Sequence, residues 1–149
     1  MIAHIQGKLV EKNPTDVVID CGGVGYHINI SLHTYSLLPN TDQIKLFTYL
    51  QVKEDAHTLF GFFEKSEREI FKMLLSVSGI GASIARTMLS SLEPKQIIQA
   101  IASGDVGTVQ SIKGIGLKTA QRVILDLQDK VLKLYDLDEV SMVLNNTNR

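Results

Sequence analysis

The first 63 residues alternate between apolar and polar side chains with a period of two. The alternation is clearest from Tyr26 to Ile30, where Ile28 lies between His27 and Asn29. This period is typical of half-buried β-strands, and glycine and proline turns separate the runs. Five strands are predicted, at residues 2–10, 17–19, 26–31, 44–52 and 57–63.

The number and spacing of these strands favour a small closed barrel. The OB-fold is a five-stranded barrel whose surface and loops bind oligonucleotides. The alternation by itself does not separate it from an SH3-like barrel, so that alternative stays open at this point. An OB-fold is the architecture that we expect.

At Glu64 the spacing of apolar residues changes to three and four, which indicates amphipathic helices. Ser66, followed three residues later by Glu69, fits a capping box at the start of the first helix. Pro94 fits the first turn of a later helix, where its missing N–H costs nothing. Further helices are predicted at residues 106–112 and 117–132.

The chain therefore divides into three segments of different composition. Residues 1–63 form the predicted barrel, and residues 64–135 form an all-α domain. After Tyr135 the sequence becomes acidic and polar, as in a solvated linker or tail at residues 136–149. The predicted fold class is α+β, with more than one domain.

One short phrase occurs twice in the helical segment, with an offset of 35 residues. Each copy has a glycine, an apolar residue and a second glycine, and an alanine follows four residues later. A repeat predicts two equivalent structural units, and this one is typical of a tandem helix-hairpin-helix. The copies are Ser78-Gly79-Ile80-Gly81-Ala82-Ser83-Ile84-Ala85 and Lys113-Gly114-Ile115-Gly116-Leu117-Lys118-Thr119-Ala120.

The two glycines of each copy have different predicted roles. Gly79 and Gly114 allow the chain to turn sharply after the leading helix. Gly81 and Gly116 leave the first turn of the next helix uncovered, where free N–H groups and the helix dipole favour an anion. We therefore predict that both loops bind DNA phosphates. The candidate phosphate-binding residues are Gly79, Gly81, Ser83, Gly114, Gly116, Lys118, Thr119 and Arg122.

Positive charge is concentrated in the segment that contains the repeat. Residues 64–125 carry 8 Lys/Arg and 5 Asp/Glu, whereas the whole chain has a net charge of −1. A uniformly basic DNA-coating protein is therefore excluded, and a local phosphate contact is favoured. Lys118 and Arg122 lie four residues apart on one helix face and can reinforce the second loop.

Other phosphate-binding motifs do not fit the repeat. A Walker A loop needs Gly-Lys-Ser/Thr in succession, and Leu117 separates Gly116 from Lys118. A dinucleotide-binding fingerprint needs a third glycine, and Ile84 and Thr119 occupy its place. A tight helix–helix turn without a ligand is the remaining structural alternative.

The sequence shows no catalytic or metal-binding pattern. The 4 histidines are scattered without metal-ligand spacing, and no cofactor is indicated. Cys21, the single cysteine, is expected to be a small core residue. Neither a signal peptide nor an apolar run of about 20 residues is visible, so we expect a cytoplasmic protein that spans no membrane.

The combination resembles one family of DNA-binding proteins. In order and spacing it is similar to the RuvA family, the DNA-binding subunit of bacterial Holliday-junction branch-migration complexes. The similarity runs from Met1 to about Leu132. It rests on Met1-Ile2, Gly7, Gly22-Gly23-Val24-Gly25-Tyr26, Glu54-Asp55-Ala56, Leu59-Phe60-Gly61-Phe62, Glu67-Arg68, Phe71 and the two glycine loops.

The resemblance implies a homotetramer, or an octamer of two tetramers, that binds the open square form of a four-way junction. It implies a hexameric ring ATPase of the RuvB type that drives branch migration, and a junction endonuclease of the RuvC type. Roles in recombination, DNA repair and the SOS response follow, and the subunit itself is non-catalytic. The alternatives are a structure-specific helix-hairpin-helix nuclease and a general DNA-structure binder.

The resemblance also gives Glu54 and Asp55 the role of the family's acidic pin. They lie in the turn between the last two predicted strands, and their charge would repel phosphates from the junction centre. From the residues alone, a solvated turn or a Mg²⁺ site of a nuclease are the other interpretations.

Two departures from the family pattern affect these expectations. Ser83 and Leu117 stand where family members often carry a basic residue, so the backbone, Lys118 and Arg122 have to contribute more. The family also continues through a flexible linker into a small helical domain that docks on the ATPase. This chain ends at Arg149, near the start of that linker, so we expect either a shortened protein or an incomplete sequence.

Overall fold

A computed structural model describes residues 1–135, so the predicted tail at 136–149 lies outside the described residues. Contacts group the chain into two units, the first from Met1 to Ile70 and the second beginning at Phe71. The domain limits at residues 63 and 64 stay a prediction. The elements are β1 (His4–Lys12), β2 (Asp16–Cys21), β3 (Val24–Ile30), α1 (Leu32–Leu37), β4 (Gln43–Val52), β5 (His57–Phe62), α2 (Lys65–Leu75), α3 (Ala82–Ser91), α4 (Pro94–Ser103), α5 (Val106–Gln110) and α6 (Leu117–Leu134).

The first unit contains a closed five-stranded barrel. Its strand order is β1-β2-β3-β5-β4. The pair β3–β5 is parallel, and the other four pairs of described strands are antiparallel. With α1 between β3 and β4, this is the arrangement of an OB-fold. The predicted barrel and the α+β class are therefore confirmed.

The barrel closes around apolar side chains from alternating strand positions. Val17, Ile19 and Ile28, for example, are fully buried. Burial of every second residue is what a strand with one face on a core requires. The buried cluster is formed by Ile5, Val17, Ile19, Ile28, Ile30, Leu38, Ile44 and Leu46.

A short helix that the sequence pattern did not predict follows β3. Ser31 caps this helix, α1, because its Oγ accepts the N–H of Thr34 at 3.1 Å. The hydroxyls of Ser31 and Thr34 both donate to the buried carboxylate of Glu67. Thr34 Oγ1 also accepts the N–H of Phe63 at 3.1 Å. A buried polar network therefore fixes α1 to the start of α2.

The predicted start of α2 is wrong by one residue or more. The helix begins at Lys65, so Ser66 lies inside its first turn and is not the residue that precedes it. The carboxylate of Glu69 lies 3.0 Å from the guanidinium of Arg68. Burial raises the pKa of the Glu67 carboxyl above its usual value, while the two hydroxyl hydrogen bonds act in the opposite direction.

The second unit is helical, and the predicted helices at 94, 106–112 and 117–132 are confirmed as α4, α5 and α6. Helix α4 starts with a capping box between Glu93 and Gln96. The equivalent alanines of the repeat, Ala85 and Ala120, are fully buried, which allows close helix packing. Other buried side chains are Met88, Leu89, Ile97, Ile101, Val109, Val123, Leu127 and Val131.

Candidate nucleic-acid interface

Both glycine loops turn at their first glycine. Gly79 has φ +94° and Gly114 has φ +91°, in the left-handed region that favours glycine. In each loop the N–H of the following isoleucine, Ile80 or Ile115, bonds to the carbonyl three residues earlier at 3.1 Å. Both isoleucines are buried. The sharp turn and the apolar anchor predicted from the sequence are therefore present in both copies.

The second glycine of each loop is the N-cap of the next helix. Gly81 and Gly116 precede α3 and α6 in extended backbone that any residue adopts. Beyond the chain neighbours, a Cβ at either position would meet no heavy atom within 4 Å. By contrast, a Cβ at Gly7 would lie 2.4 Å from the Asp20 carbonyl oxygen. The fold thus requires glycine at position 7 but leaves open space at 81 and 116.

The open space lies at uncapped helix starts. In neither α3 nor α6 does an N-cap side chain accept a hydrogen bond from the N–H groups of the first turn. The first four N–H groups of a helix have no acceptor within it, and the helix dipole adds a partial positive charge. These backbone donors can hold an anion such as a phosphate.

The two loops are close to each other. A Cβ built on Gly79 would lie 3.9 Å from Oγ1 of Thr119. Thr119 is in the first turn of α6, the helix that follows the second loop. The first loop therefore lies beside the start of α6. The two uncapped helix starts therefore lie in one region of the second unit.

Two exposed cations, Lys118 and Arg122, follow the second loop on α6. Lys118 has no ion-pair partner within residues 1–135. The Nε of Arg122 lies 3.8 Å from Oδ2 of Asp126. Sequence analysis missed Asp126, although a spacing of four residues is the signal for such a pair on a helix.

The first copy lacks these charges. Ser83 occupies the position of Lys118 and is exposed in the first turn of α3. Thr87 occupies the position of Arg122, and its hydroxyl donates to the Ser83 carbonyl at 3.0 Å. Both loops offer backbone N–H groups. The first loop adds the Ser83 hydroxyl, whereas the second adds two cations.

The acidic pair, Glu54 and Asp55, occupies the centre of the turn between β4 and β5 in the first unit. On either side, the N–H of Lys53 donates to the Ala56 carbonyl at 2.8 Å. Both acidic side chains are exposed. The predicted position at a hairpin tip is confirmed, whereas the role as a pin depends on an assembly and stays a prediction.

Other chemistry in the described part of the chain is sparse. No group of three or more His, Cys, Asp or Glu side chains within residues 1–135 is arranged to hold a metal ion. The half-buried Cys21 thiol donates to the Gln6 carbonyl at 3.2 Å. None of the described helices is long and apolar enough to cross a membrane.

Comparison with known families gives one match in each unit. The model described as "RuvA N terminal domain" matches residues 1–61. The model described as "SAM-like Helix-hairpin-helix tandem" matches residues 71–129, which contain both glycine loops.

Curated relatives match along most or all of the chain. A protein of Flavobacterium psychrophilum is 77% identical over 149 residues, which are 100% of this chain and 77% of the relative. A protein of Christiangramia forsetii is 64% identical over the same shares. This chain belongs to the RuvA family. A third member, from Cytophaga hutchinsonii, is 57% identical over 133 residues, 89% of this chain and 67% of its own length.

All three relatives carry the name Holliday junction branch migration complex subunit RuvA. The family inferred from the glycine loops, the barrel strands and the acidic turn is therefore confirmed. The acidic turn lies within the segment that matches the RuvA N-terminal domain.

Proposed function

We propose that this protein binds four-way DNA junctions as the DNA-binding subunit of a branch migration complex in recombination and repair. The observation that carries the proposal is the pair of uncapped helix starts at Gly81 and Gly116. It occurs in a chain whose relatives are named as subunits of a Holliday junction branch migration complex. Two such starts in one region suit two phosphates of one DNA arm.

The proposed contacts involve the DNA backbone. Phosphates are identical in every sequence, so such contacts recognise the shape of the DNA and are sensitive to salt. In the second copy, Lys118 and Arg122 add charge to the backbone N–H groups. The proposed phosphate-binding residues are Gly79, Gly81, Ser83, Gly114, Gly116, Lys118, Thr119 and Arg122.

One subunit holds one arm in this proposal, so several subunits are needed to recognise a junction. We infer a homotetramer with fourfold symmetry, and an octamer of two tetramers as a second form. Glu54 and Asp55 of each subunit would lie at the centre, where their charge repels phosphates and keeps the strands apart.

The energy for branch migration comes from a partner in this proposal. A hexameric ring ATPase of the RuvB type moves the DNA, and an endonuclease of the RuvC type cuts the junction. The subunit itself has no catalytic residues and no cofactor, and it acts in the cytoplasm. Residues 1–63 and 64–135 are its two proposed domains.

Binding of junction and duplex DNA of the same length and composition tests this function. We expect nanomolar affinity for the junction and at least about a hundredfold weaker binding of the duplex, because only the junction offers several arms to linked sites. Fluorescence anisotropy measures both affinities. Raising the salt from 50 to 200 mM should weaken both, because binding releases counterions from the DNA and this release is less favourable at high salt. Equal affinities would overturn the proposal. Metal-dependent cleavage of the junction by the pure protein would instead support a nuclease.

A further inference from the structure

Three charged side chains, Lys118, Arg122 and Asp126, follow one face of α6 at intervals of four residues. Four residues correspond to about 6 Å along a helix, so successive members are neighbours. Arg122 Nε and Asp126 Oδ2 are 3.8 Å apart, and the side chains are 58% and 36% exposed. An acidic group therefore lies beside one of the two cations that the proposed function assigns to phosphate.

The repeat shows that helix formation does not require this pair. The equivalent positions on α3 are Ser83, Thr87 and Ser91. The hydroxyls of Thr87 and Ser91 donate to carbonyls one turn earlier, at 3.0 and 2.8 Å. The same structural unit thus forms with a neutral face.

The pair on α6 is also in the less stabilising arrangement. A base that precedes an acid by four residues stabilises a helix less than the reverse order, and exposed pairs contribute little in general. A guanidinium, however, presents one planar set of donors that suits either a carboxylate or a phosphate. At 3.8 Å the two groups form an ion pair without a hydrogen bond. While Asp126 lies beside Arg122, its charge offsets part of the positive charge that attracts a phosphate.

We propose that Asp126 is an intramolecular competitor of DNA phosphate for Arg122, and that it keeps this contact weak and rapidly exchanged. The inference rests on the proposed function, in which Arg122 binds a phosphate. When a phosphate binds Arg122, it displaces the Asp126 carboxylate. When that phosphate leaves, the ion pair between Arg122 and Asp126 forms again. A protein through which DNA is driven needs contacts that release quickly, and this pair supplies one.

The competition acts through Arg122 and not through repulsion of the phosphate at the loop. Asp126 follows Gly116 by ten residues, which is about 15 Å along the helix. The Debye length is about 8 Å at physiological ionic strength. Salt therefore screens most of the repulsion between Asp126 and a phosphate at the loop, but not the direct contact with Arg122.

Dissociation of a labelled four-way junction from the wild type, Asp126→Asn and Asp129→Asn tests this inference. Asp129 is exposed on the same helix, seven residues after Arg122 and so about 10 Å along it, beyond direct contact. Both substitutions change the net charge equally, so both should raise the association rate alike. Asp126→Asn should in addition slow dissociation by about two- to fivefold, whereas Asp129→Asn should leave the dissociation rate unchanged.

The second part of the test measures the same dissociation rates in an Arg122→Gln background. It is done at 50 mM salt, where binding is tighter. There Asp126→Asn should have no more effect than Asp129→Asn. The inference is overturned, and the proposed function stands, if Asp126→Asn leaves dissociation unchanged or slows it equally without Arg122. If the wild type binds no junction, both the proposed function and the inference fail.

Discussion

Replacement of both Gly81 and Gly116 by serine is expected to weaken junction binding by at least about a hundredfold without loss of the fold. Serine is a favoured N-cap, because its Oγ accepts an N–H from the first turn of the helix. Those N–H groups are the donors that a phosphate needs. The backbone at both positions is extended, and a Cβ there meets no heavy atom within 4 Å beyond its chain neighbours. The variant should therefore be as stable as the wild type, or slightly more stable.

The loss of affinity should be large. A hydrogen bond to a charged group contributes about 1.5–3 kcal/mol, and one such bond is lost at each loop. Together they amount to roughly 3 kcal/mol or more for each arm, which is at least a hundredfold in the dissociation constant. Anisotropy at 0.15 M salt measures the affinity, and thermal unfolding followed by circular dichroism measures the stability.

Gly107→Ser is the matched control, because Gly107 is an exposed glycine of α5 outside both loops. A Cβ there lies 3.6 Å from Asp105 Oδ1, an ordinary van der Waals contact. This control should bind the junction like the wild type. Unchanged affinity of a folded Gly81→Ser/Gly116→Ser variant would exclude the helix starts as the phosphate site and leave only a tight turn.

Removal of the charge at the hairpin tip, by Glu54→Gln with Asp55→Asn, should strengthen junction binding. If the tips surround the junction centre, their carboxylates repel each phosphate that approaches. One pair of charges 8 Å apart repels by about 0.5 kcal/mol in water. The variant removes several such repulsions at once, so binding at low salt should become roughly tenfold tighter. Since phosphates pass the tips at every step, branch migration by the complete complex should become faster.

Glu11→Gln with Asp42→Asn removes the same charge from other exposed positions of the first unit. Asp42 precedes β4 and the tip follows it, so the ten residues of the strand separate them by about 30 Å. Salt screens charges at such a distance from the tip, so this control should keep the wild-type affinity and migration rate within about twofold. Clearly weaker junction binding by the tip variant would contradict a central position of Glu54 and Asp55.

The parts of the fold that were predicted correctly have a local cause in the sequence. The strands follow from a period of two, which depends on one buried face. The loops follow from Gly79 and Gly114, since few other residues adopt a positive φ. Because the repeat contains this glycine twice, the two loops support the same prediction independently. The loops are therefore the most informative part of the chain.

The features that were missed depend on contacts between distant residues. Helix α1 has only six residues, too few to show a period. Its cap Ser31 donates a hydrogen bond to Glu67, which is 36 residues later in the chain. Ser66 was wrongly predicted as a cap because its spacing to Glu69 matches a capping box, although the helix already begins at Lys65. Side-chain competition at Asp126 could have been suspected from its spacing, but only the geometry shows which cation it contacts.

The central claim is that several subunits surround one junction, and the mass of the protein in solution tests it most directly. Native mass spectrometry should be recorded for the protein alone and for its complex with one four-way junction. Four chains are expected without DNA, and four or eight chains on one junction. A single chain in both samples would contradict the fourfold arrangement and, with it, the central position of the acidic tips.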